Sequence, residues 1–291
     1  MILQLSSKQK AAIEAGAVKR NRLIRATKQA ASGKTLPGAR KHTYIYGPAG
    51  IGKTYLSETA VKDSGIIWRT ITGNVSMFAF AINLAVIKYK FPDQPVVIII
   101  DDCDEILKDA KTINQMKELL GKDTMSYNKR FHLNSVGEEG SDTYNAVQDC
   151  MVNGQMGFTI DCSNFIFVIT SNAKLNYDKD SEEIVLGNGG MDNNRSIRAR
   201  HLSAIRRRVN CKDLDMTMEE QWGNLAYVAL NENLCEACDE QETIFILDYI
   251  WNNWDNMKER NISTVEFMGS ILKEEGADGI KDAFDADFLI G

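Results

Sequence analysis

The chain has 291 residues, 44% of them hydrophobic and 25% charged, with a formal net charge of −6. That is soluble globular composition, with length for one large core or two smaller ones. It excludes a membrane-spanning chain, because no apolar run approaches the roughly 18 residues a membrane helix needs, and a disulfide framework, because the six cysteines are scattered.

The charge is unevenly shared. Residues 1–41 carry ten Lys/Arg against one acidic residue, Glu14, a local +9, while the remainder carries 24 basic and 39 acidic residues, or −15. The start, Met1 to Ser7, turns polar too quickly for a secretory signal, so a cytoplasmic setting is expected. Ser7–Ala31 has no proline and is rich in Ala, Lys, Arg and Gln, which predicts a helix capped by Ser6 or Ser7. Its surplus of cations suits a polyanion such as DNA, the acidic body of a neighbouring subunit, or simply a solvated amphipathic face. Ser32 to Gly38 reads as a linker.

A short apolar strand is predicted at 43–46, followed by GPAGIGKT at 47–54 and a helix from Lys53. This is a complete G-x-x-x-x-G-K-T loop in strand–loop–helix context. Gly47, Gly50 and Gly52 let successive N–H groups turn inward around phosphate oxygens. Pro48, Ala49, Ile51 and Tyr55 complete the lining segment, and the helix start adds unpaired donors. Lys53 is suited to the β- and γ-phosphates and the Thr54 hydroxyl to Mg²⁺. The loop predicts binding of a nucleoside triphosphate.

Further apolar segments at 66–72, 96–100 and 165–169, separated by helical stretches, predict a mainly parallel sheet covered on both faces. After the second strand, Met77 and Phe78 read either as a loop gripping a threaded polymer or as the start of a packed helix. Val96–Ile100 lacks polar alternation, as in a central strand, and delivers Asp101 and Asp102. Asp101 suits Mg²⁺, which keeps much of its hydration shell, and Asp102 suits directing or deprotonating a water. From about 121 to 163 the pattern dissolves into Gly, Asn, Ser, Asp and Glu, with a short strand or hairpin expected at 157–161. Phe165–Ile169 ends in Thr170-Ser171-Asn172, where the Asn172 carboxamide suits a γ-phosphate or the attacking water. A second irregular loop is expected at 186–194. Arg206, Arg207 and Arg208 then form a cluster fitted to phosphate charge. The tail looks helical at 216–231, 241–260 and 263–274, with Leu247, Ile250, Trp254 and Met257 on one apolar face.

In this order, phosphate loop, Asp101-Asp102, strand-ending Ser171-Asn172, arginine cluster and helical tail, the chain resembles the AAA+ ATPases over about 42–274. The run VVIIIDDCDEIL, with FVITSN after a long insert, is most similar to small phage AAA+ ATPases, which would put the chain in a host cytoplasm. The resemblance implies an α/β fold, a P-loop three-layer sandwich with a mainly parallel sheet and a small C-terminal helical lid. It divides the chain into a basic arm and linker (1–41), a nucleotide-binding core (42–212) and a lid (213–291). It implies ATP as substrate and Mg²⁺ as cofactor. Lys53 and Thr54 would meet phosphate and Mg²⁺, and Asp101 the metal. Asp102 would be the base, Asn172 the first sensor, and Arg206 and Arg207 fingers reaching a neighbour's ATP. Fingers acting in trans imply a homo-oligomeric ring, a hexamer by the family's habit.

Two positions depart from the family pattern. Glu usually follows the metal aspartate, although the phage-like group also uses Asp-Asp, and Asp102 is one methylene shorter. Where a lid arginine is expected stands Ser263; either Arg260 nearby substitutes for it or the second sensor is missing. Cys235 and Cys238 have metal-knuckle spacing without a second pair. The work driven by hydrolysis is read first as a nucleic-acid transaction such as replication, helicase or clamp loading. Protein remodelling and a slow-turnover nucleotide-dependent scaffold are the alternatives.

Overall fold

The computed structural model describes the chain except residues 1–3, 33–39, 73–74, 103, 105–106, 108–109, 152–155, 173–174, 176–194, 233–234, 236–237, 258–259 and 288–291. At 110, 195–200 and 283–287 it describes the backbone alone. The expected linker and the irregular loop at 186–194 therefore lie largely or wholly outside the described residues. Two compact units divide the chain: one takes 25–46 and 57–213, the other 1–24, 47–56 and 214–291.

The first unit is built on a five-stranded sheet of β1 (His42–Tyr46), β2 (Ile67–Thr72), β3 (Val96–Asp101), β6 (Phe165–Ser171) and β7 (Val209–Asp213), in the order β2-β3-β6-β1-β7. Every neighbouring pair is parallel. The four strands expected from apolar runs are present. In β3, Val96, Ile98 and Ile100 join a core with α3 (Met77–Lys90), α4 (Ala110–Lys122), α5 (Asp142–Asp149) and α6 (Arg195–Arg206). Val97 and Ile99, on the opposite pleat, are just as fully buried, so β3 is covered on both faces. The fold is α/β with a mostly parallel sheet. β7 was not anticipated: in Val-Asn-Cys-Lys-Asp only Val209 is buried, and pairing with β1 makes it a strand.

The stretch expected to lack regular structure is largely ordered. β4 (Thr124–Tyr127) pairs antiparallel with β5 (Phe158–Asp161), with α5 between them in sequence. The short strand read at 157–161 is thus real, and its partner was the missing piece. Met125, Ala146, Val147, Phe158 and Ile160 are all buried, too few and too spaced to signal a period. Met77 and Phe78 begin α3, which Ser76 caps by accepting the Ala79 N–H at 3.2 Å. Phe78 packs 4.7 Å from the Tyr127 ring and 5.4 Å from Phe131, so of its two readings the packed one describes it.

β1 opens on a buried histidine. Nδ1 of His42 accepts the Phe167 N–H at 3.1 Å, and Nε2 lies 3.5 Å from Asp123. The neutral ring satisfies both contacts. Burial, the largest influence, lowers the His42 pKa below its ordinary 6.5; Asp123 opposes this, and Lys41 adds to the lowering.

The second unit packs α7 (Met218–Asn231), α8 (Glu240–Asn253) and α9 (Ile262–Asp287) around Trp222, Leu247, Ile250, Trp254 and Met257, the last four being the apolar face expected from spacing. Reciprocal capping boxes start α7 (Thr217 with Glu220) and α8 (Asp239 with Glu242). α1 (Ser7–Ala31) begins in the same way, Ser6 N–H donating to Gln9 Oε1 at 2.7 Å while Gln9 N–H meets Ser6 Oγ at 3.3 Å. The first part of α1 lies against α7: a Cβ on Gly223 would come within 1.9 Å of the Ala12 carbonyl oxygen. Three of the ten cations of residues 1–41 are paired here. Lys8 pairs with Glu219 at 2.9 Å, Lys19 with Glu220 at 2.7 Å, and buried Arg20 with Glu232. The exposed Lys8–Glu219 pair contributes only about 0–1 kcal/mol; breaking the buried Arg20–Glu232 pair costs more, because a charge is left without its partner.

Two predictions follow from these contacts. Gly223→Ala forces α1 off α7, with an expected loss of about 1–3 kcal/mol, read as a lower urea midpoint together with faster proteolysis inside α1. A base with a lowered folded pKa binds fewer protons folded than unfolded, so its stabilisation is complete above 6.5 and is lost as pH falls below that value. Melting temperature should therefore drop between about pH 6.5 and 5, before most carboxylates titrate. His42→Gln should flatten that part of the profile, and an unaltered profile would assign the acid loss to other groups.

Candidate functional site

The phosphate-loop sequence belongs to the second unit. Gly50 and Gly52 adopt φ of 78° and 77°, the left-handed region glycine enters without strain. At Gly50 space forbids a side chain as well, since a Cβ would sit 2.9 Å from the Arg260 carbonyl oxygen. Ala49 and Gly50 are exposed, Pro48 is half-buried, and Gly47 and Ile51 are buried. α2 (Lys53–Lys62) starts at Lys53, which sets Thr54 in its first turn among N–H groups that lack helical acceptors. Lys53 Nζ donates to the carbonyls of Gly47 at 2.8 Å and Pro48 at 2.7 Å. An anion entering the loop would compete with these two carbonyls for one ammonium.

Side chains of α7 anchor the loop. Asn224, 2% exposed, donates Nδ2 to the Ile51 carbonyl at 3.1 Å. The Tyr55 hydroxyl bonds Glu232, the same carboxylate that holds Arg20, and the Arg20 guanidinium lies 4.9 Å from the Tyr227 ring centroid. These links tie the loop's exit to the basic helix within one unit.

The carboxylates belong to the sheet unit. Buried Thr170, on β6, donates Oγ to Asp101 Oδ1 at 2.7 Å and accepts the Asp102 N–H at 3.2 Å. Asp102 takes φ of 50°, an uncommon conformation that aspartate tolerates better than most residues. Its Oδ1 lies 3.4 Å from Asn172 Nδ2, so base candidate and sensor candidate face one another. Asp104 Oδ1 accepts the Asn172 N–H at 3.0 Å and the Ser171 hydroxyl.

The three arginines part company. Arg208 is half-buried, donates to the Ala204 carbonyl at 2.7 Å and packs against Gly121. Arg206 and Arg207, at the end of α6, are exposed, and among the described residues neither has an ion-pair partner. Arg260, a candidate for the second sensor, donates its guanidinium to the Trp254 carbonyl at 2.9 Å and the Asp255 carbonyl at 3.0 Å. Ser263 stays exposed in the first turn of α9, which Asn261 caps by accepting the Thr264 N–H at 3.0 Å. Cys235 and Cys238 are buried and point to the carbonyls of Val265 and Gly269. Burial pushes the Cys235 thiol up to about 11, and among the described residues no cluster of three or more His, Cys, Asp or Glu could hold a metal ion. Sequence reasoning had passed over Thr170, Asp104 and Asn224. Asp104 stood within the acidic run, whereas nothing in a mid-helix asparagine marks Asn224.

Residues 43–183 match the family described as ATPase family associated with various cellular activities (AAA). That match indicates an ATPase. No curated protein matches the chain in sequence. Among solved structures, a Thermotoga maritima RuvB point mutant aligns with 94% of this chain and 69% of its own, at 14% identity and a TM-score of 0.47. A Thermotoga maritima RuvB described as a Holliday junction branch migration motor aligns with 94% and 68%, at 15% identity and a TM-score of 0.44. Among the described residues, no helix of this ATPase is long and apolar enough to cross a membrane.

Thr170→Val would strip Asp101 of a donor and leave the Asp102 N–H without its acceptor. The expected loss is about 1–3 kcal/mol in urea denaturation, with Thr170→Ser keeping most of it.

Proposed function

We propose that this ATPase binds ATP with Mg²⁺ and hydrolyses it by in-line attack of water on the γ-phosphorus, working as a head-to-tail ring of identical subunits. The observation that carries the reading is the 47–54 loop, with left-handed Gly50 and Gly52 and the Lys53 ammonium at the start of α2. Loop N–H groups and Lys53 hold the β- and γ-phosphates. Thr54 and Asp101 would hold Mg²⁺, a fit supported by the hydroxyl of Thr170 that orients the Asp101 carboxylate. The ion, when bound, neutralises charge on the phosphate oxygens. Asp102 directs the water and takes its proton as the bond to the β–γ bridging oxygen breaks and ADP leaves. Asn172 orients the same water, while Arg206 and Arg207 act on a neighbour's γ-phosphate; their exposure suits them for it, as the internal bonds of Arg208 do not. In this scheme 42–212 is the nucleotide core, 213–291 the lid and 1–41 the basic arm.

The work we assign first is a nucleic-acid transaction such as replication, helicase or clamp loading. Its support is the local +9 of residues 1–41, from which Lys10 and Arg22 remain exposed. The run VVIIIDDCDEIL places the chain, in our reading, with small phage-type ATPases. A ring of six subunits is the family's habit and the assembly we expect. Protein remodelling through a pore loses its argument with the packing of Phe78. A slow-turnover nucleotide switch is the second reading, favoured by the engaged Arg260 guanidinium and the short Asp102 side chain.

Lys53→Ala should lower ATP turnover at least about 100-fold; retained turnover would remove the loop from the mechanism. Mixing it with Arg206→Ala/Arg207→Ala protein should restore activity, and no recovery at any ratio would exclude trans action. Stimulation by DNA that falls with salt and with Lys10→Ala/Arg22→Ala supports the nucleic-acid role; tight ATP binding with slow turnover whatever DNA is added supports the switch.

A further inference from the structure

We infer that Asp104 is a positioning residue for hydrolysis, acting through Asn172 rather than touching nucleotide or metal. The inference rests on the proposed roles of Asp102 and Asn172. The β3–β6 ladder ends at Ile100 opposite Ile169. Past that pair the two strand tips are joined by side chains. Thr170 reaches Asp101 and the Asp102 N–H, and Asp104 reaches back to Ser171 and Asn172. Two donors converge on the single oxygen Oδ1 of Asp104, the Ser171 hydroxyl and the Asn172 backbone N–H at 3.0 Å. Hydrogen bonds to a carboxylate are roughly twice as strong as neutral ones. They fix the backbone of Asn172, which leaves the carboxamide only its own side-chain torsions. Its Nδ2 lies 3.4 Å from Asp102 Oδ1. Without Asp104 the Ser171 hydroxyl and the Asn172 N–H lose this shared acceptor, and the carboxamide no longer faces Asp102 in one geometry.

The chemistry of the acceptor separates this role from metal binding. A ligand to Mg²⁺ needs its charge, whereas an acceptor for two donors needs a correctly placed carbonyl-type oxygen, which asparagine also has. The test is steady-state ATPase kinetics on the full chain for Asp104→Ala, Asp104→Asn and Ser171→Ala, each alone and with Asn172→Ala, alongside ATP-analogue binding and Mg²⁺ titration. Asp104→Ala should lower kcat about 10- to 100-fold, the range for residues that orient others, with KM, analogue binding and the Mg²⁺ midpoint unchanged. Asp104→Asn should recover most of kcat, and Ser171→Ala should lose less than Asp104→Ala. In the Asn172→Ala background Asp104→Ala should cost less than about twofold, because the residue it acts through is gone. Should Asp104→Ala fail to fold, Ser171→Ala with and without Asn172→Ala gives the same non-additivity test. Additive losses, a raised Mg²⁺ midpoint, or Asp104→Asn as impaired as Asp104→Ala would overturn the inference. Lys53→Ala separates the failures: if it retains turnover, the hydrolytic reading itself has failed, whatever Asp104 does.

Discussion

The parallel pairing of β3 with β6 is the constraint on which the strand-tip carboxylates depend. It sets Ile100 opposite Ile169 and so brings the residues just past each strand within side-chain reach. A buried threonine hydroxyl can then serve Asp101 and Asp102 together, and a second carboxylate can hold the backbone of Asn172. A slip of one residue in this register would turn Thr170 to the other face of the sheet and remove both bonds. The fully buried aliphatic and aromatic side chains of both strands resist such a slip. Packing energy thus becomes angular precision at the carboxylates.

The phosphate loop depends on a different kind of support. Its two left-handed glycines free the backbone to curl, but freedom alone does not hold a shape. Asn224 fixes the loop at Ile51, and Tyr55 fixes its exit through Glu232 to Arg20. The basic helix is therefore part of the architecture around the loop before it is anything else. Three of its cations meet carboxylates of the second unit, Glu219, Glu220 and Glu232, which leaves fewer for an external polyanion than the count of lysines and arginines suggests.

Where sequence reading worked, one residue type carried one physical demand. GPAGIGKT names glycines free to take unusual angles, as Gly50 and Gly52 do, and the uninterrupted run Val96–Ile100 names a strand buried on both faces. The reading thinned where an element depends on its partner. β7 exists because β1 offers it a ladder, and β4 with β5 because each supplies the other's hydrogen bonds. Likewise Met77 and Phe78 fitted two descriptions until Tyr127 and Phe131, about fifty residues away, closed around the ring.

Residue order by itself determined the chemistry on offer: a G-x-x-x-x-G-K-T loop, a pair of strand-tip carboxylates, a terminal carboxamide and a run of three arginines. Those signals are local, written in neighbours along the chain. Only the tertiary structure decided which groups address one another. It turned Arg208 and Arg260 inward to backbone carbonyls, left Arg206 and Arg207 exposed, and set Asp104 beneath Asn172. The contact of Asp104 with Asn172 joins residues dozens of positions apart, which no local pattern encodes; Arg208 and Arg260 meet carbonyls only four to six positions away, but whether a side chain takes such a bond or stays exposed depends on how the surrounding elements pack.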